Sequence, residues 1–158
     1  AHCPSLSWLN LNDNPDMLKG AEGNKACSAL AKALPSCSSL VKLGLGGCGM
    51  SAEGLAVLAT QGVAKSSSLS SLSLCGNSGM LKGAEGQAAC TALAQALAAC
   101  SSLQTLRLAS CGMSAEGLAV LATQGVAKSS SLSSLSLCGN SGMLKGAEGQ
   151  AACTALAQ

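Results

Sequence analysis

The sequence predicts an α/β fold in which short parallel strands alternate with helices along a stack of repeats. A phrase of the form L-x-x-L-x-L begins at Leu6, Leu40, Leu69, Leu103 and Leu132, at alternating steps of 34 and 29 residues. Residues 48–95 are also identical to residues 111–158. Self-similarity at a fixed period indicates stacked repeats, here with a double repeat of 63 residues.

The five repeats span the whole chain, so we expect residues 1–158 to form a single solenoid without a domain boundary. Phe and Tyr are absent and Trp8 is the only aromatic residue, which suits a narrow core of small and medium side chains. Neither end shows a polar capping repeat, so we expect the array to continue in a longer protein. The net charge of +2 is spread thinly and no run of 18 apolar residues occurs, so neither a nucleic-acid partner nor membrane insertion is expected.

Each repeat is predicted to run strand, turn, helix, turn. Residues 69–74 alternate Leu with small polar residues, as in a strand with one buried face. The Gly-Asn-Ser-Gly run at 76–79 predicts a turn, and apolar residues at helical spacing predict a helix over 80–97. In the short repeat, Ser51 is placed to cap a helix that ends near Gly62 or Lys65.

The two repeat types end differently, in Asn at 14, 77 and 140 and in Cys at 48 and 111. This alternation of L-x-x-L-x-L-x-x-N and L-x-x-L-x-L-x-x-C resembles the ribonuclease-inhibitor-like branch of the leucine-rich-repeat proteins, as do G-x-E-G at 83–86 and A-L-A-x-A-L at 92–97. The resemblance covers essentially the whole chain and implies a right-handed horseshoe with a concave parallel sheet and convex helices. About five extra residues around 80–82 depart from it and should lengthen the helix or its leading turn.

The Asn and Cys positions have a physical explanation within this resemblance. They follow each strand where the chain turns away from the sheet, and an Asn amide can satisfy backbone groups that the turn leaves unpaired. Cys would be a small buried substitute in the alternate repeats. We therefore expect a structural ladder along the stack formed by Asn14, Cys48, Asn77, Cys111 and Asn140.

The ten cysteines do not form the pattern of a disulfide framework. Cysteines at like positions lie one double repeat apart, about 10 Å or more, whereas a disulfide needs Cα atoms within about 7 Å. A Cys3–Cys37 bridge between adjacent repeats stays open, as does a contact between Cys90 and Cys100. Most cysteines are expected to be buried free thiols; with no signal-peptide pattern at residue 1, this favours a cytoplasmic location without determining it.

No constellation of catalytic or metal-binding residues is visible. His2 is the only His, no C-x-x-C occurs, and no nucleophile has a base at a recognisable spacing. We therefore predict no enzyme activity, no cofactor and no metal. Glu85 follows Lys82 by three residues, in a pattern that recurs in the other long repeats, and predicts a surface ion pair.

The predicted partner site is the outward side of the sheet, whose residues lie between the Leu positions. Trp and Arg are favoured at the centres of protein interfaces, but here they are three repeats apart. The partner-binding candidates are Trp8, Asn10, Asn12, Lys42, Thr105 and Arg107. The alternative for Trp8 is an exposed residue near the end of a repeat.

Three functions are compatible with the pattern. The first is a non-catalytic scaffold that binds a protein partner, by analogy with the family. The second is a structural protein that assembles into filaments, because uncapped ends expose an apolar cross-section and a sheet edge to a second copy. The third is a binder of a regular surface such as polysaccharide or ice, motivated by the spaced Ser and Thr residues. An enzyme ranks below all three.

Overall fold

One parallel sheet, whose strands alternate with helices along the chain, forms the described part of the molecule. A computed structural model describes residues 5–144 and 146–156. The strands hydrogen-bond to one another in sequence order. They are β1 (Trp8–Asn10), β2 (Lys42–Gly44), β3 (Ser71–Ser73), β4 (Thr105–Arg107) and β5 (Ser134–Ser136). The α/β class and the five-stranded parallel sheet are therefore confirmed.

Each strand begins two residues after the first Leu of its L-x-x-L-x-L phrase. The strands are in direct register, which places the second Leu of every phrase in one row along the sheet. This row is Leu9, Leu43, Leu72, Leu106 and Leu135. Its three central members are almost completely buried. The strands are shorter than predicted, since only 71–73 of the expected 69–74 has strand geometry.

Helices of two kinds connect the strands. The long ones are α1 (Gly20–Ala33), α3 (Gly83–Ala99) and α5 (Gly146–Leu156); the short ones are α2 (Ala52–Val57) and α4 (Ala115–Val120). Each short helix widens into a π turn, Leu58–Gly62 or Leu121–Gly125, and ends in a 3₁₀ turn at Lys65 or Lys128. The predicted cap is present, because the Ser51 hydroxyl accepts a hydrogen bond from the Gly54 N–H at 3.0 Å.

The extra residues of the long repeat form a turn before the helix. Helix α3 begins at Gly83, three residues later than predicted. Met80 and Leu81 lie in this turn and are buried in the core. The Leu81 N–H donates to the Cys111 carbonyl at 2.9 Å, which ties the turn to the next repeat.

The Lys–Glu pair predicted at the start of the long helices is wrong at α1 and is not found at α3, whereas Lys145, predicted to pair before α5, lies outside the described residues. Lys19 instead pairs with Asp16 at 3.5 Å, and Glu22 pairs with Lys25 at 2.6 Å. Lys19 precedes the helix in an extended conformation (φ −88°, ψ 139°), so the helical i, i+3 geometry does not apply to it. Lys82 has the same conformation before α3.

Two of the Asn side chains that follow long-repeat strands, Asn77 and Asn140, bond to the backbone of two repeats. In Asn77 the amide donates to the carbonyls of Leu45 and Leu74 at 2.9 and 2.8 Å, and its oxygen accepts from the N–H groups of Cys48 and Met50, both at 3.0 Å. The same four bonds recur at Asn140. Each of these side chains therefore joins two repeats.

Candidate protein-binding face

The outward residues of the strands form two straight rows. Because the strands are parallel and in register, residues at equal positions lie side by side, about 4.8 Å apart. The first row is Trp8, Lys42, Ser71, Thr105 and Ser134. The second row is Asn10, Gly44, Ser73, Arg107 and Ser136. All predicted candidates except Asn12 belong to these rows, and Asn12 follows β1 by two residues.

A shallow depression of about 250 Å³ opens on this side of the sheet, and we call it the sheet-face depression. It is lined by Trp8, Asn10, Asn12, Lys42, Leu43, Gly44, Ser71, Ser73 and Arg107. Five of the six predicted partner-binding residues are therefore brought together. Thr105 lies in the first row but does not line the depression.

The small residues between Trp8 and Arg107 explain why both line one depression. Gly44, Ser71 and Ser73 form part of its lining and fill little space. In the sequence Trp8 and Arg107 are three repeats apart, so the sequence alone does not predict that they line the same depression. The signal that connects them is the small size of the intervening outward residues, which sequence reasoning treated only as a featureless surface.

Two Asn side chains lie over Gly44. The Asn10 Oδ1 accepts from the Asn12 N–H at 3.1 Å, and the Asn12 Oδ1 accepts from the Gly46 N–H at 2.7 Å. A Cβ atom on Gly44 would lie 2.8 Å from the Asn12 Oδ1 and 2.9 Å from the Asn10 Oδ1. A side chain at position 44 would therefore have to displace the two amides that border the depression.

An apolar ledge adjoins the depression at its Trp8 end. Trp8 is 63% exposed and Val41 is 38% exposed, and together with Ser7 and Lys42 they line a second shallow surface. Sequence reasoning missed Val41. A signal existed, because the residue after the first Leu of the phrase is polar in the other four repeats: Ser7, Ser70, Gln104 and Ser133.

The helix side carries a different kind of depression, of about 320 Å³, between α2 and α3. Its lining is Ala52, Glu53, Ala56, Glu85, Ala88 and Ala89. Glu53 already accepts a hydrogen bond from the Asn24 amide at 2.5 Å. This surface offers mostly methyl groups, without a Trp or Arg, so the sheet face is the better candidate for protein binding.

Three of the buried thiols, Cys27, Cys90 and Cys111, are poor nucleophiles. Burial raises the pKa of Cys27 and Cys90 to about 11 and that of Cys111 to about 12. Cys37, Cys90 and Cys100 are among the free thiols of the described residues, whereas Cys3 lies outside them. Within the same residues, no three His, Cys, Asp or Glu side chains are grouped as metal ligands, and His2 is outside this part of the chain.

Nor does any helix in the described ranges have the length and hydropathy that a membrane crossing requires.

Comparison with known proteins gives structural neighbours only. No family model and no curated protein matches the chain. The chain is similar to a solved structure described as leiomodin-1 actin-binding site 2, with a TM-score of 0.71 and 16% identity over 98% of this chain and 81% of that one. It is also similar to the Caenorhabditis elegans tropomodulin C-terminal domain, with a TM-score of 0.66 and 16% identity over 98% and 84%. The shared property is the fold.

These neighbours correct the family assignment. The assignment to the ribonuclease-inhibitor-like leucine-rich-repeat solenoids is wrong, because the matching folds are leiomodin and tropomodulin domains. The physical reason is that L-x-x-L-x-L describes the inward Leu rows needed by a stack of parallel strand–turn–helix units. The phrase therefore predicts the sheet without identifying the family.

The three functions predicted from the sequence are corrected by the same neighbours. The scaffold rests on analogy with the family, the filament on uncapped ends, and the polysaccharide or ice binder on spaced Ser and Thr residues. The leiomodin and tropomodulin folds contradict all three. A protein partner is the part of the prediction that remains consistent with the neighbours.

Proposed function

We propose that this chain is a protein-binding domain whose partner is actin. The observation that carries the proposal is the fold, which matches a leiomodin-1 actin-binding site over 98% of the chain with a TM-score of 0.71. The proposal assigns the chain no catalytic step. That it is not an enzyme stays a prediction, as does the horseshoe curvature with the sheet on its concave side.

The sheet face is the surface that we propose for contact with actin. It presents the exposed Trp8 beside Lys42 and Arg107, and interface centres favour Trp and Arg. The small residues between Trp8 and Arg107 leave backbone groups and Ser hydroxyl groups accessible to a partner. The proposed contact residues remain Trp8, Asn10, Asn12, Lys42 and Arg107, with Thr105 outside the depression but next to Ser71 in the first row.

The first test is direct binding. The chain is co-sedimented with filamentous actin and mixed with monomeric actin for size-exclusion chromatography. We expect saturable binding to at least one form. If neither filamentous nor monomeric actin binds at about 100 μM, the standard binding free energy is weaker than about −5.5 kcal/mol. That result would contradict the proposal.

Two matched variants test the surface. Trp8→Ala and Leu144→Ala each remove an exposed apolar side chain, at 63% and 59% exposure, but only Trp8 lies on the sheet face. We expect Trp8→Ala to weaken actin binding about tenfold or more and Leu144→Ala to change it less than about twofold. Equal effects of the two variants, with unchanged thermal unfolding, would place the contact elsewhere.

A further inference from the structure

The free polar groups of the sheet-face depression are mainly hydrogen-bond donors. The Asn10 and Asn12 oxygens are occupied by backbone N–H groups, which leaves their NH₂ groups available. Lys42 and Arg107 can only donate. Within the described part of the chain, neither cation has an ion-pair or hydrogen-bond partner. The depression therefore matches a ligand that is rich in acceptors.

The charges of the sheet face have one sign. Among the residues that the structure describes, Lys42 and Arg107 are the only charged ones in strands, and the acidic residues lie in turns or helices. The two ion pairs found among the described residues are at α1 and the turn before it. A carboxylate in the depression would thus meet two cations without a competing acid in the lining.

An apolar side chain can be accommodated next to the cations. Trp8 and Val41 form the exposed ledge at the edge of the depression, and Lys42 borders both surfaces. A peptide segment that carries an acidic residue beside an apolar one could pair with the cations and pack on the ledge at the same time. A free inorganic anion would use only the cationic part.

We infer that the sheet-face depression binds an acidic peptide segment of the partner, with a carboxylate between Lys42 and Arg107 and a neighbouring apolar side chain on Trp8 and Val41. This inference rests on the part of the proposed function that places a protein partner on the sheet face, and it identifies which segment of that partner binds there. It does not require that the partner be actin.

Trp8 is the only aromatic residue, so its fluorescence reports on the depression without interference. The probes are the capped tetrapeptide Leu-Glu-Asp-Leu, its amide analogue Leu-Gln-Asn-Leu and inorganic phosphate. We expect a saturable change with the acidic peptide and at least tenfold weaker binding of the analogue and of phosphate. Binding of the acidic peptide should weaken when ionic strength rises from about 0.01 M to about 0.15 M, since the screening length falls from about 30 Å to about 8 Å.

The matched variants are Arg107→Ser and Lys128→Ser. Serine occupies the position equivalent to 107 in β3 and β5, so the first variant keeps the strand pattern, whereas Lys128 lies in a 3₁₀ turn. We expect at least fivefold weaker peptide binding for Arg107→Ser and less than twofold change for Lys128→Ser. Equal binding of acidic and amide peptides, equal binding of phosphate, or equal effects of the two variants would overturn the inference.

The same variants separate this inference from the proposed function. If actin binds and Arg107→Ser binds it equally well, the proposed function stands and the acidic-segment inference fails. If the acidic peptide binds as expected but actin does not, the inference stands and actin is the wrong partner.

Discussion

At the scale of single residues, Asn77 shows how this fold satisfies its backbone. Its side chain is buried and makes four hydrogen bonds to two repeats, while the equivalent Asn14 is exposed and makes two, to the Leu11 and Asn12 carbonyls. The spacing in the sequence predicts where these residues lie. It does not predict that the two side chains differ in burial and in the number of their hydrogen bonds.

Replacement of Asn77 by Ala should be strongly destabilising. Four backbone groups in a buried turn would lose the Asn77 amide, although the Leu74 carbonyl would keep the Cys111 thiol, so we expect a loss of about 3 kcal/mol in the free energy of unfolding. Asn14→Ala is the control and should cost about 1 kcal/mol. Urea denaturation of both variants provides the measurement, and equal losses would show that the buried bonds contribute no more than the exposed ones.

The buried thiols should make stability fall at alkaline pH. The pKa values of Cys27 and Cys90 are raised from 9.0 to about 11 by burial, with Cys48 adding to the effect at Cys27. Above pH 9 the unfolded chain therefore releases protons that the folded chain retains. The stabilisation is complete below pH 9 and is lost as the pH rises toward 11.

Urea denaturation under reducing conditions, at several values between pH 8 and about pH 11, measures this loss. Cys90→Ala should lower the stability at pH 8 but make its decline with pH less steep. An unchanged decline in the variant would show that ionisation of Cys90 is not linked to unfolding.

At the scale of secondary-structure elements, consecutive helices approach closely through small residues. A Cβ atom on Gly54 of α2 would lie 2.9 Å from the Cys27 Sγ of α1, and one on Gly117 of α4 would lie 3.0 Å from the Cys90 Sγ of α3. Hydrophobic periodicity predicts the helices and Ser51 predicts one start. The Cys–Gly contacts could not be predicted, because they depend on how far each helix is shifted against the next.

A double-mutant cycle tests this contact. Gly54→Ala should destabilise the native background, since overpacking costs about 1–3 kcal/mol and the better helix propensity of Ala returns only about 1 kcal/mol. In a Cys27→Ala background the space is available, so Gly54→Ala should be neutral or stabilising. Chemical denaturation of the four proteins measures the coupling. Identical effects in both backgrounds would rule out the contact, and the Cys90–Gly117 pair provides an independent repeat of the test.

At the scale of the whole molecule, the sheet was predictable and the binding surface only partly so. The L-x-x-L-x-L phrases fix the buried Leu row and the outward positions, because side chains alternate across a strand. They could not show that Trp8 and Arg107 line one depression, since this depends on Gly44 and Ser73 leaving the space between them open. The L-x-x-L-x-L phrases also led to the wrong family, because the same rows of buried Leu residues occur in different families that share this architecture.

A protein partner, which we propose to be actin, is expected to contact the sheet face. The chain contains one Trp and one Arg, so the Trp8 indole N–H and the Arg107 guanidinium Nε–H each give a unique signal in a ¹⁵N NMR spectrum. Monomeric actin is added in substoichiometric steps to the labelled chain. We predict that these two signals shift or broaden first, before the Asn24 amide on the helix side. Unchanged Trp8 and Arg107 signals while Asn24 responds would contradict it.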